Sequence, residues 1–217
     1  MNDEYTSLSY DITTDKIREE ITLHPFGDIH WDSETCSRDK FDADLKASLK
    51  GKNNYYLFMG DLLDFLATSD LKKVRNAGMH DNSMDKLNVF AMQDLVAFRK
   101  KIEPCRGKTI GMLGGNHDWL FDDNLTGSQK LAQYFDCAYL GWVSYIILTI
   151  RARNNKAALC YDIVACHGKA GGKLAGTSFN QVEDLQRVFP GANMYLMGHD
   201  HNRGVRPTSK LFGEKNA

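Results

Sequence analysis

Five short apolar runs, each followed within one or two positions by a glycine, constrain the fold of this chain more than any other feature. Runs of this length between turn residues suit strands buried on both faces, although periodicity alone does not exclude short buried helix segments. Each run leads directly into a motif that contains Asp, Asn or His. The runs are Ile21–Phe26, Tyr55–Met59, Thr109–Leu113, Tyr161–Cys166 and Met194–Met197.

Helical patterns lie between these runs. Phe41, Leu45 and Leu49 are spaced four residues apart, and apolar residues from Met84 to Phe98 follow one face of a longer helix. A further helix is predicted over about Ser178–Phe189, where a Pro-Gly pair stops it. The alternation of strand and helix predicts an α/β domain that presents its functional groups from loops at strand ends.

One stretch departs from the alternation. Trp142–Ile150 and Ala157–Cys166 are both strand-like, and the polar segment Arg151–Lys156 separates them. This pattern predicts a hairpin, and therefore mixed rather than purely parallel sheets. Without an internal repeat or a linker-like composition shift, residues 1–217 are interpreted as one domain, a length sufficient for one core.

Composition indicates the cellular compartment of the protein but does not identify a binding partner. The formal charge of −1 gives no global attraction to nucleic acid or to an anionic membrane. The five cysteines form no C-x-x-C pair and are odd in number, which disfavours a disulfide framework and favours a reducing cytoplasm. The polar N-terminal stretch does not resemble a signal peptide, and no segment approaches the roughly 20 apolar residues that cross a bilayer. A protein without a membrane association is expected.

The polar motifs after the runs carry the functional signal. Five of the seven histidines lie in them, and neutral imidazole is the commonest side-chain ligand of transition metals. Asp28 and His30 are two residues apart, so on an extended segment both point to one side and can bind one ion; His199 and His201 repeat that spacing. A binuclear site also needs a bridging carboxylate, for which Asp61 is the best candidate.

The motifs read, in order, D-x-H, G-D-x-x-D, G-N-H-D, a lone H and G-H-x-H. From about residue 21 to residue 201 this order resembles the calcineurin-like metallophosphoesterases. The resemblance implies an αββα sandwich of two mixed β-sheets flanked by helices. It also implies two ions: Asp28, His30 and His201 would hold the first, Asn116, His167 and His199 the second, and Asp61 would bridge them.

The same resemblance gives His117 and Asp64 catalytic roles. The histidine after the metal-binding asparagine protonates or stabilises the leaving group, and the second aspartate of G-D-x-x-D orients it. An imidazole pKa near 6.5 suits acid catalysis near neutrality. Two cations about 3.5 to 4 Å apart lower the pKa of a bound water, so that hydroxide is available for in-line attack on phosphorus. Manganese is the expected ion, and the mixed N and O ligands also admit Fe, Zn, Mg, Ni or Co.

Some branches of that superfamily fit less well. Ser/Thr phosphoprotein phosphatases carry G-D-x-x-D-R-G and G-N-H-E, whereas Phe65 and Leu66 follow Asp64 here, and Asp118 replaces the glutamate. The motif versions are similar to those of phosphodiesterases and double-strand-break repair nucleases. Those nucleases carry a capping region, and the family fold usually continues for a strand or two, whereas sixteen residues follow His201. A compact or shortened catalytic domain without a cap is therefore expected.

The leading interpretation is a metal-dependent phosphodiesterase acting on nucleic acid or a nucleotide-like substrate. A phosphomonoesterase and a non-catalytic interaction module on the same fold are the alternatives. Two segments stay open. The polar stretch 67–83 is either a flap over the site or a surface excursion, and the lysine-containing glycine loop 168–177 is either a phosphate cradle or a solvated connection.

Overall fold

The computed structural model describes residues 5–65, 81–155, 157–169, 175–201 and 204–205. Residues 67–80 of the stretch interpreted as a flap or a surface excursion, and residues 170–174 of the glycine loop, lie outside these ranges. The strands are β1 (Tyr5–Thr14), β2 (Thr22–Phe26), β3 (Asn54–Phe58), β4 (Thr109–Met112), β5 (Ala138–Tyr139), β6 (Val143–Ala152), β7 (Ala158–Cys166) and β8 (Met194–Met197). The α-helices are α1 (Arg38–Ser48), α2 (Asp81–Ile102), α3 (Gly127–Phe135) and α4 (Ala175–Val188), and a 3₁₀ turn, Glu103–Cys105, follows α2.

The described strands form two four-stranded sheets. One is wholly parallel, in the order β2-β3-β4-β5, and the other is mixed, in the order β1-β6-β7-β8. In the mixed sheet, β1 and β6 are parallel, β6 and β7 are antiparallel, and β7 and β8 are parallel. The two-sheet α/β architecture and the predicted hairpin are confirmed. Two mixed sheets were expected, but only the sheet that contains the hairpin is mixed, because every strand of the other is joined to the next by a crossover that keeps it parallel.

The two sheets face each other across a dry apolar layer. Leu57 and Ile110 from the parallel sheet and Ile146, Leu148 and Ile163 from the mixed sheet are each at most 5% exposed in this layer. Removing this much apolar surface from water is the main stabilising term of such a sandwich. The layer holds both sheets in a fixed relation, so loops from the two sheets meet at their common edge.

Helices cover the outer faces of both sheets. The apolar stripes of α1, α2 and α3 pack on the parallel sheet around Phe41, Leu95, Phe98 and Phe135, all buried. Helix α4 packs on the mixed sheet, where partly buried Leu185 lies beside Val143, Val164 and Cys166. No helix of the described residues is long and apolar enough to cross a bilayer.

Strand β1 was not predicted from the sequence. Its side chains alternate, with Leu8, Tyr10 and Ile12 facing inward and polar residues such as Ser9 and Asp11 exposed. This is the pattern of a strand at a sheet edge with one solvated face. The apolar-run criterion detects only strands buried on both faces, so it overlooked β1. Helix α4 also begins three residues earlier than predicted.

All five motifs follow the carboxyl ends of strands. Those after β2, β3 and β4 come from three adjacent strands of the parallel sheet, and those after β7 and β8 come from two adjacent parallel strands of the mixed sheet. Open α/β sheets bind ligands at this edge because loops from neighbouring strands converge there. The topology therefore brings together residues as far apart in sequence as Asp28 and His201.

Candidate metal centre

The loops after β2 and β3 are joined by backbone hydrogen bonds. The amides of Asp28, Ile29 and Trp31 donate to the carbonyls of Gly60, Asp61 and Leu62 at 3.1, 2.9 and 3.1 Å. Such a ladder satisfies backbone groups beyond the strand ends and fixes the two loops relative to each other. The first two motifs are therefore one rigid unit.

The loops turn where an extended segment was expected. Asp28 and His30 have φ angles of +51° and +47°, and His199 and His201 have φ angles of +71° and +52°. Side chains with a Cβ seldom adopt this left-handed region, and such residues cluster at functional sites. The expectation that strand-like alternation aligns these pairs is therefore wrong. Asp28 and His30 still share one cluster, whereas His199 and His201 lie in different clusters.

Asp61 lies at the centre of the cluster and is 4% exposed. Its Oδ1 atom accepts a hydrogen bond from the His117 backbone amide at 3.0 Å. Its Oδ2 atom lies 3.1 Å from His167 Nε2 and 4.0 Å from both His30 Nε2 and His199 Nδ1. Asp61 Oδ2 thus lies within 4.0 Å of three imidazole nitrogens.

His167 is fully buried and lies between two other candidate ligands. Its Nδ1 lies 2.8 Å from the Met59 carbonyl, which can only accept, so Nδ1 carries a hydrogen, and Nε2 presents a lone pair when the ring is neutral. Nε2 faces Asp61 Oδ2 at 3.1 Å and Asn116 Oδ1 at 3.0 Å. Three electron-pair donors this close need a proton or a cation among them, so Asn116, Asp61 and His167 fit a cation.

Two further imidazole nitrogens support this fit. His30 Nε2 and His199 Nδ1 are buried and have no hydrogen-bond partner among the described residues. Both lie 4.0 Å from the same Asp61 oxygen. An unpaired buried polar atom is costly, and ligation of a metal ion removes that cost. The donor set of imidazole, carboxylate and amide is one that transition metals accept.

The described residues contain three groups whose candidate ligand atoms lie within 4.8 Å of one another. One comprises Asp28, His30 and His201, and a second comprises Asp61, His167 and His199. The first group is the set expected around the first ion. The second contains His167, His199 and the expected bridge Asp61, and the remaining expected ligand, Asn116, lies 3.0 Å from His167 Nε2. The third group comprises His30, Asp64 and His117.

In the third group the contacts are those of a hydrogen-bond network. His117 Nδ1 lies 2.7 Å and His30 Nδ1 3.2 Å from the same Asp64 oxygen, Oδ1. If each Nδ1 donates to that carboxylate, Nε2 of a neutral His30 is a lone pair that can bind a metal, and Nε2 of His117 is the atom that would bear the second proton of an imidazolium. Asp64 thus contacts a candidate ligand as well as the candidate acid, which sequence reasoning had not anticipated.

Charge and burial shift the pKa values of these groups in opposing ways. Burial raises the pKa of Asp28, although the His167 charge and the His199 amide partly offset it. Burial alone would raise the pKa of Asp61 and lower that of His167, but their mutual hydrogen bond and charge reverse both shifts. Burial, followed by His167, lowers the pKa of His199. Protons and metal ions therefore compete for the same atoms.

Several other residues contact the motifs, and sequence reasoning gave them no role at the site. The carboxylate of Asp32 contacts the second motif, and Asp118 Oδ1 accepts a 2.9 Å bond from Ser128 N at the start of α3. Trp142 Nε1 donates to Gly168 O at 3.1 Å, with its ring against His167. Asp118 could be found from the motif itself, whereas nothing in the sequence pairs Trp142 with His167. Trp119 is buried and bonded to Asn88, so it packs rather than lines the site.

A family model described as calcineurin-like phosphoesterase matches residues 25–203. The chain belongs to the calcineurin-like phosphoesterase family. Members of this family are metal-dependent hydrolases of phosphoesters, and they use divalent ions. The match spans all five motifs, and the predicted family membership and enzyme class are confirmed. No curated protein and no solved structure matches the chain.

A groove opens beside the first group of candidate ligands in this calcineurin-like phosphoesterase. It has a volume of about 660 Å³ and runs between the loops that carry Asp28 and His201 and the first two turns of α1. Phe26 and Phe41 contribute apolar surface, while Ser37 and Lys40 are polar. The groove is large enough for an organic group attached to a phosphate held at the metal centre.

Proposed function

We propose that this calcineurin-like phosphoesterase is a binuclear phosphodiesterase that acts on a nucleotide-like substrate, with nucleic acid as the extended form of that class. The convergence of His30, His167 and His199 on Asp61 Oδ2 carries the proposal. Asp28, His30 and His201 would hold one ion, Asn116, His167 and His199 the other, and Asp61 would bridge them.

Bound divalent ions would supply positive charge that lowers the pKa of water and neutralises phosphoryl oxygens. The protein supplies the fixed positions of the ligands. Asp61 is held by the His117 amide, Asp28 by the His199 amide, and His167 by the Met59 carbonyl. Ligands held in this way lose little conformational freedom on binding, so the site is organised before metal or substrate arrives.

His117 is proposed as the general acid. In the imidazolium form its Nδ1–H donates to Asp64, and its Nε2–H passes a proton to the departing oxygen, which leaves a neutral ring with its hydrogen on Nδ1. Asp64 acts through His117 and is therefore a positioning residue. General acids of this kind accelerate reactions by about 10²- to 10⁴-fold.

The groove supports a diester over a monoester. Among the described residues that line it, Lys40 is the only lysine or arginine. A diester carries one negative charge on phosphorus and a monoester up to two, so a groove with a single cation suits the less charged substrate. Partly buried Phe26 and Ile29 offer apolar surface against which a nucleoside ring can pack.

The test is hydrolysis of bis-p-nitrophenyl phosphate and p-nitrophenyl phosphate by metal-stripped protein reloaded in turn with Mn²⁺, Fe²⁺, Co²⁺, Ni²⁺, Zn²⁺ and Mg²⁺. We expect the diester to be the better substrate, with Mn²⁺ giving the highest rate. An Asp61→Asn protein purified in parallel controls for contaminating phosphatases. Turnover of the monoester alone would replace the proposal with a phosphomonoesterase. Absence of turnover despite bound metal would replace it with an interaction module.

A further inference from the structure

The side chain of Asp32 extends the series of backbone hydrogen bonds that joins the loops after β2 and β3. After Trp31 donates to Leu62, the two carboxylate oxygens of Asp32 accept the next amides along the second loop. Asp32 Oδ1 accepts from Asp64 N, and Asp32 Oδ2 accepts from Phe65 N at 2.9 Å. One carboxylate therefore binds two consecutive backbone donors at the position where the loop presents Asp64.

This contact holds the loop in an unfavourable conformation. Phe65 has a φ of +42°, a left-handed value that a residue with a Cβ adopts only when its surroundings impose it. The Phe65 ring packs against Trp119, 6.4 Å between ring centroids. The Asp32 carboxylate on one side and the ring packing on the other thus define the path of the chain at Asp64.

The position of Asp64 in turn sets two imidazoles. Asp64 Oδ1 is 2.7 Å from His117 Nδ1 and 3.2 Å from His30 Nδ1, and the Asp64 carbonyl is 3.2 Å from His117 Nδ1. A rotation or shift of Asp64 therefore changes the orientation of the proposed acid. His30 has further restraints, since its amide donates to the Asp61 carbonyl. A change at Asp32 should therefore alter the orientation of the His117 side chain more than that of His30.

The contact is specific for a carboxylate. Two backbone N–H groups need two acceptors, and an aspartate supplies both, each strengthened by the negative charge. Asparagine has the same shape but one acceptor, so its amide N–H would face a backbone N–H. Exchange of Asp32 for asparagine therefore converts one attraction into a repulsion with almost no change in volume.

We propose that Asp32 is a positioning residue for the phosphoester reaction: by binding the amides of Asp64 and Phe65, it fixes Asp64 and, through Asp64, the donor orientation of His117. The proposal deepens the proposed function and relies on the acid role of His117 given there. Asp32 contacts neither the candidate metals nor the substrate in this assignment.

The first test compares Asp32→Asn with wild type on ethyl 4-nitrophenyl phosphate and ethyl phenyl phosphate, which share a non-leaving group. Phenolate is the poorer leaving group and needs the acid more. We expect Asp32→Asn to keep its full metal content, to leave KM within about threefold, and to lower kcat about 10-fold for the nitrophenyl ester and about 100-fold for the phenyl ester. Asp11→Asn, the same exchange at an exposed β1 position, should match wild type.

A second measurement does not depend on turnover. In the zinc-loaded protein, long-range ¹⁵N–¹H spectra of the histidine rings should show His117 with its proton fixed on Nδ1 in wild type and in Asp11→Asn. In Asp32→Asn the same ring should show averaged tautomers. If wild type hydrolyses no ester, the proposed function fails and these spectra alone decide the role of Asp32.

Two results would overturn the proposal. One is equal loss of kcat on both esters together with lost metal, which would make Asp32 a purely structural residue. The other is an unchanged His117 tautomer in Asp32→Asn. Should that variant fail to fold, Asp32→Glu keeps both acceptors and the charge on a longer side chain. Its kcat should also fall further for the phenyl ester than for the nitrophenyl ester, by a smaller ratio than in Asp32→Asn. An equal fall on both esters would overturn the proposal.

Discussion

Both oxygens of the Asp61 carboxylate have defined partners in the folded chain. Oδ1 accepts from the His117 amide at 3.0 Å, and Oδ2 faces His167 Nε2 at 3.1 Å. The orientation of this side chain is therefore set by the protein, and a metal would meet an oxygen already in place. At the residue scale, the site depends on such partners of the ligands as much as on the ligands themselves.

Replacement of His117 by asparagine tests the proposed acid. We expect His117→Asn to bind as much metal as wild type, because His117 is assigned to Asp64 rather than to an ion. Its kcat should fall by about 10²- to 10⁴-fold for a poor leaving group and by less for 4-nitrophenolate. Metal analysis together with steady-state kinetics gives both values. Loss of an ion from this variant would instead make His117 a ligand in the group that it forms with His30 and Asp64.

Asp118 gives a prediction about pH. Desolvation raises the pKa of this carboxyl from 3.8 to about 6, although bonds from Ser128 and Gly115 partly offset the effect. Because the folded pKa lies above the unfolded one, the native state binds more protons, and this contribution to stability is present below pH 4 and is lost as the pH rises through 6. For a partly buried group the loss amounts to about 1–3 kcal/mol.

Asp118→Asn removes that titration. In chelator-treated protein, we expect the free energy of unfolding of the variant to rise relative to that of wild type between pH 4 and pH 7. Urea titrations at several pH values measure the difference. A difference that stays constant, or that runs the other way, would show that Asp118 is ionised in the folded protein throughout this range.

At the scale of elements, the site depends on how closely loops from adjacent strands approach. Gly60, directly before Asp61, has a φ of +89°, and a Cβ built there would lie 2.5 Å from Gly114 O and 2.7 Å from His167 Nδ1. A Cβ on Gly115 would collide with Asp61 Oδ1. Glycine is needed at these positions because three loops occupy the same small volume.

A comparison of Gly60→Ala with Gly107→Ala distinguishes the cost of a left-handed backbone from the cost of steric crowding. Gly107 has a similar φ of +80°, but a Cβ there meets nothing within 4 Å. Both variants should lose about 1–2 kcal/mol of stability to the left-handed conformation. Only Gly60→Ala should also lose metal, since its new methyl group displaces His167 or the Gly114 carbonyl. Denaturation and metal analysis of the pair provide the comparison, and equal metal binding would contradict the argument.

At the scale of the whole molecule, the candidate ligands span both sheets. Asp28, Asp61 and Asn116 follow strands of the parallel sheet, and His167 and His199 follow strands of the mixed sheet. The apolar layer between the sheets holds the two sets in register. An ion bound at Asp61 would therefore cross-link the sheets at their common edge, and unfolding would separate its ligands.

Metal should consequently stabilise the fold. A ligand that binds only the native state at 100 times its Kd adds about 2.7 kcal/mol, which raises the Tm of a chain of this length by about 5–10 °C. We expect Mn²⁺ to produce such a shift in wild type, chelator to reverse it, and Asp61→Asn to lack it. Calorimetry measures all three, and an equal shift in Asp61→Asn would place the stabilising ion elsewhere.

Much of the fold was accessible from the sequence because buried strands and amphipathic helices carry local patterns. β2, β3, β4 and β8, together with the hairpin strands β6 and β7, were found within a residue or two. β1 was missed because an edge strand with a polar face lacks an apolar run. The single-domain interpretation stays a prediction.

The sequence by itself determined the family and the residue types of the site, because Asp, Asn and His at strand ends occur as short local motifs in a fixed order. Only the tertiary structure decided which atoms face each other. The left-handed turns at Asp28 and His30, the Met59 carbonyl on His167, and the Asp32 carboxylate beneath Asp64 all follow from contacts between distant segments. Such contacts form only when the packing of two sheets brings those segments together, so no local pattern records them.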